Sequence, residues 1–354
     1  MLGQIEELLN VVTEKQASDL HLITGNPPIL RINKELIPLG AEKLTRESCK
    51  TLIYQLLNDE QKTTLERERE LDLAHELGPS RFRVNVHFER GNVACALRRL
   101  PKAIPSREEL HLPKVIETFC KEIRGLVLVT GVTGCGKSTT QASMIDYINM
   151  TRGAHIITVE DPIEYVHTNK KSILEQREVG SDTLSFARAL KRVLRQDPDV
   201  ILVGEMRDLE TMQTAITAAE TGHLVISTLH TPDAPQSVDR IIDVFPPQQQ
   251  PQVRLMVSLN LRGIISQQLI RRKDGKGVVP AVEVLVSTPA VSNIIRKAST
   301  QELYSVIEIG AKYGMQNMDS SLKELYTQGL ISFEEAMLHT MNPEALEKKL
   351  KGIV

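Results

Sequence analysis

A phosphate-binding loop is the strongest chemical signal in the sequence. Residues 131–138, Gly-Val-Thr-Gly-Cys-Gly-Lys-Ser, satisfy the pattern G-x-x-x-x-G-K-[ST]. The glycines let backbone N–H groups turn towards phosphate oxygens, where a Cβ atom would interfere. Lys137 supplies a mobile positive charge for the β- and γ-phosphates, and the Ser138 hydroxyl is a hard oxygen ligand for Mg²⁺. The pattern therefore predicts that ATP and Mg²⁺ are bound by Gly131, Val132, Thr133, Gly134, Cys135, Gly136, Lys137, Ser138 and Thr139.

The segments on either side supply the setting that such a loop needs. The apolar run at residues 126–130 predicts a strand, and residues 137–149 predict a helix with apolar side chains along one side. The positive end of that helix dipole then lies at the phosphates. The alternative, a chance match in a glycine-containing turn, does not account for both flanking elements. We expect Cys135 to be a small filler rather than a redox residue.

A second apolar run ends in a candidate catalytic carboxylate. Residues 200–205 read Val-Ile-Leu-Val-Gly-Glu, so Gly204 stands where an Mg²⁺-holding aspartate is common and the acid follows as Glu205. A glutamate there suits polarisation of the attacking water, because phosphoryl transfer needs a positioned nucleophile more than a strong base. Mg²⁺ then rests on Ser138, the phosphates and waters, with Glu205 reaching the ion through a water. The alternative for Glu205 is a strand-end salt bridge.

Two further acids follow another predicted strand. Residues 156–164 read Ile-Ile-Thr-Val-Glu-Asp-Pro-Ile-Glu, which places Glu160 and Glu164 after a buried run. Ligands bind at the carboxyl ends of strands in parallel α/β sheets, so both acids are catalytic candidates. The alternative is that the Glu-Asp-Pro turn caps the next element.

Two histidines bracket one apolar strand. His223 and His230 stand on either side of residues 224–229. A histidine at a strand end is often a hydrogen-bonded structural group. The functional hypothesis is that the pair senses the γ-phosphate or couples it to the next subunit.

Four arginines lie on a predicted β-hairpin in the first hundred residues. Two alternating runs, at residues 81–88 and 93–100, flank the turn Glu-Arg-Gly-Asn. One interpretation is a solvated strand face. The other is that some of these side chains act as arginine fingers, so that closure of a separate domain completes the site and hydrolysis drives movement. The arginines are Arg81, Arg83, Arg98 and Arg99.

Length and composition indicate an ordinary two-domain globular protein. The chain has 354 residues, more than single hydrophobic cores usually support, with 41% hydrophobic residues. The net charge of −2 gives no sign of a nucleic-acid partner. The four cysteines form no Cys-x-x-Cys pair, so we expect no zinc site. One of them lies inside the phosphate loop, where a disulfide would obstruct function, so we expect reduced thiols and a cytoplasmic location. No apolar run is long enough to span a membrane.

The pattern changes near residue 100. Residues 1–100 predict a small α+β domain, and the proline-punctuated residues 101–113 predict a linker. Residues 114–354 alternate fully apolar strands with helices, which predicts an α/β domain with a mostly parallel sheet. Its part after about residue 290 is expected to be mostly helical.

These motifs resemble those of the secretion ATPases of the type II/type IV pilus superfamily. Residues 131–138 look like the Walker A loop, 156–164 like the Asp box, 199–208 like the Walker B run and 222–230 like the His box. The resemblance covers nearly the whole chain. Its C-terminal segment, residues 319–336, is similar to that of the members that drive type IV pilus retraction.

The resemblance implies a fold, an assembly and a function. The expected fold is a PAS-like N-terminal domain followed by a RecA-like ATPase domain, assembled as a homohexameric ring. The implied function is a motor that couples ATP hydrolysis to type IV pilus retraction, meaning pilin disassembly and twitching motility. The implied partners are an inner-membrane platform protein and a paralogous retraction ATPase, which places the chain in the cytoplasm at the inner membrane.

One motif departs from the retraction members. They carry a sequence similar to Ala-Ile-Arg-Asn-Leu-Ile-Arg-Glu, whereas residues 290–297 read Ala-Val-Ser-Asn-Ile-Ile-Arg-Lys. Ser292 replaces an arginine and Lys297 replaces an acid, and we expect ATP hydrolysis to survive both changes. The alternatives are a pilus extension or type II secretion ATPase, and an ATP-dependent switch or assembly factor with slow turnover. A kinase is disfavoured because no acceptor pocket or lid signature is found.

Overall fold

The chain forms two compact units. The first comprises residues 1–103 together with 162–166, and the second comprises residues 104–161 together with 167–354. Residues 104–113, which the sequence predicted as linker, thus belong to the second unit, where Leu112 is buried. The computed structural model describes residues 4–32, 35–78, 80–101 and 103–352.

The first unit is an α+β domain built on one antiparallel sheet. The sheet has six strands in the order β3-β2-β1-β6-β5-β4. The predicted hairpin is confirmed as β5 and β6, joined through Arg90 and Gly91, both of which have positive φ. Its helices are α1 (Ile5–Glu14), α2 (Arg46–Tyr54) and α3 (Asp59–Glu68), and its strands are β1 (Asp19–Leu22), β2 (Ile29–Ile32), β3 (Glu35–Pro38), β4 (Glu70–Leu77), β5 (Ser80–Glu89) and β6 (Asn92–Arg99).

The second unit is built on a seven-stranded sheet in the order β13-β12-β7-β11-β10-β8-β9. All neighbouring strands pair in parallel except β13, which is antiparallel to β12. The strands are β7 (Gly125–Thr130), β8 (His155–Glu160), β9 (Ile173–Glu178), β10 (Val200–Val203), β11 (Leu224–Leu229), β12 (Leu261–Arg271) and β13 (Val278–Val286).

Helices cover both faces of this sheet because its strands are apolar on both sides. Alternate residues of β7 enter different cores: Leu126 and Leu128 belong to one, and Val127 and Val129 to the other. The covering elements up to β12 are α4 (Ile116–Lys121), α5 (Lys137–Thr151), α6 (Phe186–Val193), α7 (Leu209–Glu220), α8 (Ala234–Asp243) and α9 (Gln250–Asn260).

The chain after the sheet is helical, as predicted. Part of this region packs on the β12–β13 hairpin, where Ile270 and Val279 share a small core with Leu322 and Ile331. No helix among the described residues is long and apolar enough to cross a bilayer. The helices are α10 (Pro289–Arg296), α11 (Leu303–Ile309), α12 (Met318–Thr327), α13 (Phe333–His339) and α14 (Pro343–Lys351), with 3₁₀ turns at Thr300–Glu302 and Ala311–Tyr313.

The close approach of α4 to β12 gives a test of this packing. A Cβ atom on Gly263 would lie 2.2 Å from the ring of Phe119, which is itself buried. We expect Gly263→Ala to lower the free energy of unfolding by about 1–3 kcal/mol, because the core must shift to admit the methyl group. Urea unfolding measures the change.

A matched substitution controls for the loss of glycine flexibility. At Gly153 the nearest atom to an added Cβ would be the carbonyl oxygen of Lys171 at 3.7 Å, which is an ordinary contact. Gly153→Ala should leave stability nearly unchanged. Equal effects at the two positions would contradict the packing of Phe119 against β12.

Candidate nucleotide-binding site

The phosphate loop lies between β7 and α5, the setting predicted from the sequence. Gly131, Gly134 and Gly136 have φ values of 139°, 79° and 89°, a region that side-chain-bearing residues rarely adopt. A Cβ on Gly131 would also lie 2.4 Å from the carbonyl oxygen of Gln267 and 2.5 Å from Cys135 Sγ. The backbone of the loop therefore requires glycine for conformation and for space.

The side chain of Lys137 folds back onto the start of the loop. Its Nζ donates to the carbonyl oxygens of Gly131 at 2.8 Å and Val132 at 3.1 Å. Only 9% of the residue is exposed, although the crest of the loop at Val132 is exposed. The ammonium group is thus held inside the curve of the loop.

His230 and Glu205 extend this arrangement into a polar chain. His230 Nδ1 lies 3.5 Å from Lys137 Nζ, and its Nε2 lies 3.4 Å from Glu205 Oε2, both long contacts. An ammonium group only donates and a carboxylate only accepts, so one tautomer of the neutral imidazole, with its proton on Nε2, serves both neighbours. Arg207 Nε reaches the same carboxylate oxygen at 2.8 Å.

The sheet explains why these three side chains meet. Lys137 follows β7, His230 follows β11 and Glu205 follows β10, and these strands are consecutive neighbours in parallel pairing. Carboxyl ends of parallel strands share one edge, at which α/β proteins bind ligands. The structure therefore brings the predicted Lys137, Glu205 and His230 together.

Packing accounts for Gly204 at the position where an aspartate is more usual. Its N–H donates to the carbonyl oxygen of Val159 at 2.8 Å, and its own carbonyl accepts from the Thr228 hydroxyl at 2.7 Å. An added Cβ would lie 3.3 Å from Val159 O and 3.4 Å from Glu160 Cα. A larger residue is crowded there, and the acid stands one residue later.

Glu160 and Glu164 lie in different units. Glu160 ends β8, on the same sheet edge but three strands from β7, which is about 14 Å at usual strand spacing. Its Oε1 accepts from Thr158 Oγ1 at 2.7 Å and from Gln176 Nε2 at 3.1 Å. Glu164 falls in the segment 162–166 that belongs to the first unit.

His223 is not brought to the phosphate loop of its own chain. It precedes β11, and its carbonyl oxygen accepts from the N–H of Gly125, the first residue of β7. The length of a six-residue strand, about 20 Å, separates this edge from His230. Its Nδ1 lies 2.9 Å from the carbonyl oxygen of Ala218.

The four arginines lie on β5 and β6 of the first unit. Arg83 is directly opposite Arg98, which is in turn opposite Asp19 on β1. Arg98 Nε donates to Asp19 Oδ1 at 2.9 Å, which offsets the repulsion between the paired guanidinium groups. Arg81 pairs with Glu76 at 2.5 Å, and Arg99 Nη2 donates to Gln16 Oε1 at 3.0 Å.

Cys135 is buried within the loop. Burial raises the pKa of its thiol, which disfavours the reactive thiolate at neutral pH. The side chain instead fills the space beside Gly131. This supports the interpretation of Cys135 as a filler.

The strand β12 contributes polar contacts to the loop that sequence reasoning missed. Ser266 Oγ lies 2.8 Å from Thr130 Oγ1, and the amide of Gln267 bonds both Cys135 and Thr140. All are buried. The signal available in the sequence was Ser-Gln-Gln at residues 266–268, three polar residues inside an otherwise apolar run.

The residues of the loop fit the phosphates of a nucleotide and an accompanying cation. The positive-φ glycines leave the inner side of the loop open to backbone N–H donors, and Ser138 places a hydroxyl in the first turn of α5. Across the described ranges no cluster of three histidine, cysteine or acidic residues could hold a metal alone. A cation here therefore needs phosphate and water oxygens besides Ser138, as Mg²⁺ usually does.

The second unit has the features that define a P-loop ATPase. Its sheet is mostly parallel, and β7, its first strand in chain order, runs through a glycine-rich loop into α5. The carboxylate of Glu205 follows β10 of the same sheet. The chain belongs to the family described as type II/IV secretion system protein, whose sequence profile matches residues 3–338. The predicted fold class, an N-terminal α+β domain followed by an α/β ATPase domain, is confirmed.

Individual relatives match over nearly the full length. The type IV pilus retraction ATPase PilT of Pseudomonas aeruginosa is 46% identical over 341 residues, covering 96% of this chain and 99% of that protein. The type IV pilus ATPase PilU of the same organism is 42% identical, covering 98% and 91%. A crystal structure of the pilus retraction motor PilT with bound ADP has a TM-score of 0.91 and 48% identity, covering 98% and 99%.

A buried acid lies beneath the segment that follows His230. Glu283 on β13 accepts a hydrogen bond from the N–H of Ala234, the first residue of α8, at 2.9 Å. Burial raises the pKa of its carboxyl from the ordinary 4.5 to about 7. The folded chain therefore holds this proton at pH values where the unfolded chain releases it, and this contribution to stability is lost as the pH rises from about 4.5 to about 7.

Glu283→Gln should remove that pH dependence. The amide keeps an acceptor for Ala234 but does not ionise. We expect the variant to match the wild type near pH 4 and to exceed it near pH 8 by up to about 3 kcal/mol in free energy of unfolding. Urea unfolding at both pH values measures this, and the same difference at each pH would contradict it.

Proposed function

We propose that this chain is the motor ATPase that retracts type IV pili. The observation that carries the proposal is its similarity to the pilus retraction motor PilT, at 48% identity across nearly the whole of both chains. The site geometry supports the ATPase part of the proposal, because Lys137, His230 and Glu205 form one polar chain at the phosphate loop. Retraction here means ATP-driven removal of pilin from the base of the pilus, which underlies twitching motility.

In this proposal the residues at the carboxyl ends of the strands have separate roles in hydrolysis. Lys137 and the loop N–H groups would hold the phosphates, and Ser138 would hold Mg²⁺. Glu205 orients the attacking water, and His230 reports the γ-phosphate because it already lies between Lys137 and Glu205. Glu160, fixed by Thr158 and Gln176, places a further negative charge at the carboxyl ends of the same strands.

The remaining candidates act between domains or subunits in this proposal. The arginines of β5 and β6 bring positive charge to the phosphates when the domains close, so that domain motion and hydrolysis are coupled. These arginines are Arg81, Arg83, Arg98 and Arg99. Glu164 and His223 belong to the same inter-domain or inter-subunit role. The assembly is a homohexamer, in line with the ring that the family resemblance implies.

The proposed partners are an inner-membrane platform protein and a paralogous retraction ATPase, with the ring in the cytoplasm beneath the membrane. Similarity to both PilT and PilU of one organism supports the paralogue. The altered motif at residues 290–297 lies on α10 and its end, where Asn293, Arg296 and Lys297 are exposed while Val291 and Ile294 are buried. Ser292 is half-buried and Lys297 is exposed, and neither belongs to the polar chain at the loop.

Deletion of the gene in its host distinguishes the directions of force. If the chain drives retraction, the mutant should carry excess surface pili that do not retract and should lose twitching. Pili are counted by electron microscopy, and complementation with the wild-type gene is the control. Cells without surface pili would instead indicate that the chain drives pilus extension. Unchanged pili with impaired protein export would indicate a type II secretion role.

Glu205→Gln tests the catalytic assignment. The amide keeps the size of the side chain but cannot orient the water as a carboxylate does, so turnover should fall at least about a hundredfold while ATP binding is retained. Steady-state ATPase rates and equilibrium nucleotide binding are measured on the same preparation.

The matched control is Glu210→Gln. Glu210 is an exposed acid on α7 that pairs with Lys191. The Glu210→Gln variant should hydrolyse ATP at the wild-type rate. Near-normal turnover in Glu205→Gln would assign Glu205 to a salt bridge with Arg207 alone.

A further inference from the structure

The hairpin of β12 and β13 holds the phosphate loop through adjacent polar residues. β12 pairs with β7 up to Thr130, which is opposite Ser266, and then continues beside the loop to Arg271. The hydroxyls of Thr130 and Ser266 lie 2.8 Å apart, at the point where the loop begins. The next residue of β12, Gln267, faces the loop itself.

Gln267 makes two hydrogen bonds with its side-chain amide. Its Nε2 donates to the carbonyl oxygen of Cys135 at 2.6 Å, and its Oε1 accepts from Thr140 Oγ1 at 2.9 Å. Only 1% of the residue is exposed, so water does not replace either partner. One side chain therefore joins the end of the loop to the first turn of α5.

The bond to Cys135 fixes the direction of a neighbouring donor. The carbonyl of Cys135 and the N–H of Gly136 belong to one planar trans peptide, so they point in opposite directions. Because Gln267 holds that carbonyl, the N–H of Gly136 faces away from β12. Gly136 has φ 89° and no side chain, so its own Cβ sterics do not restrain rotation of this peptide.

We infer that Gln267 is a positioning residue for nucleotide binding: it locks the Cys135–Gly136 peptide so that the Gly136 N–H is presented to the phosphates. It acts through the backbone and touches no reacting atom. The inference rests on the proposed binding of nucleotide by this loop. It also gives β12 a role beyond sheet pairing, because a side chain of this strand holds the loop directly.

Gln267→Met tests this role, since methionine has a similar size but neither hydrogen-bonding group. Affinity for ATP and for ADP should fall about tenfold, because the peptide is then no longer held and orienting the Gly136 N–H on binding costs about 1.4 kcal/mol. The two nucleotides should be affected equally, because loop N–H groups contact the phosphates that both share. Binding is measured by displacement of a fluorescent ADP analogue, well below the thermal midpoint of each variant.

Gln268→Met is the matched control. Gln268 is the next residue of β12 and contacts His339 Nδ1 at 3.1 Å in the C-terminal helical part. It should bind both nucleotides as the wild type does. If Gln267→Met and Gln268→Met bind equally well, or if Gln267→Met lowers only the thermal midpoint, the inference is overturned.

Two further variants complete the design. Gln267→Glu keeps the size of the side chain and replaces the donor with an acceptor facing the Cys135 carbonyl, so this variant should also weaken binding. It serves as the test if the Gln267→Met variant does not fold. Lys137→Ala should weaken ATP more than ADP. If Lys137→Ala leaves affinity unchanged, the nucleotide site itself is misassigned; if only the Gln267 variants bind normally, the positioning role alone fails.

Discussion

Parallel pairing of buried strands is the constraint on which the site depends. Because β7, β11 and β10 are neighbours and run in one direction, their carboxyl ends meet at one edge, and the residues that follow them meet with them. Lys137, His230 and Glu205 are separated by up to 93 residues in sequence yet form contacts of 3.4–3.5 Å. Strands apolar on both faces stabilise this pairing through two cores, so the chemistry rests on a rigid frame.

Charge complementarity links the residues at the carboxyl ends of these strands. The Lys137 ammonium and the Glu205 carboxylate are linked through the His230 ring, which donates to one and accepts from the other. Under the proposed function, a γ-phosphate bound beside Lys137 would compete for the same ammonium group and weaken its contact with His230. Both contacts of the His230 ring are long, so they break at small cost.

The β12–β13 hairpin links this edge to the rest of the second unit. Gln267 holds the loop, while Glu283 on the paired strand holds the start of α8, four residues after His230. The C-terminal helices pack on the same hairpin, and Ser321 of α12 accepts from the N–H of Val282 at 2.9 Å. The phosphate loop, the segment after His230 and the C-terminal helices therefore all contact the β12–β13 hairpin.

The sequence by itself determined the loop at residues 131–138, the apolar strands and the helical C-terminal part, because these depend on local spacing, glycine conformation and periodicity. It also singled out Glu205 and His230, since each follows a strand of recognisable pattern. Only the tertiary structure decided which candidates meet. It placed His223 at the opposite edge of the sheet and brought in Gln267, because strand order and hydrogen bonds between distant segments depend on packing that no local pattern encodes.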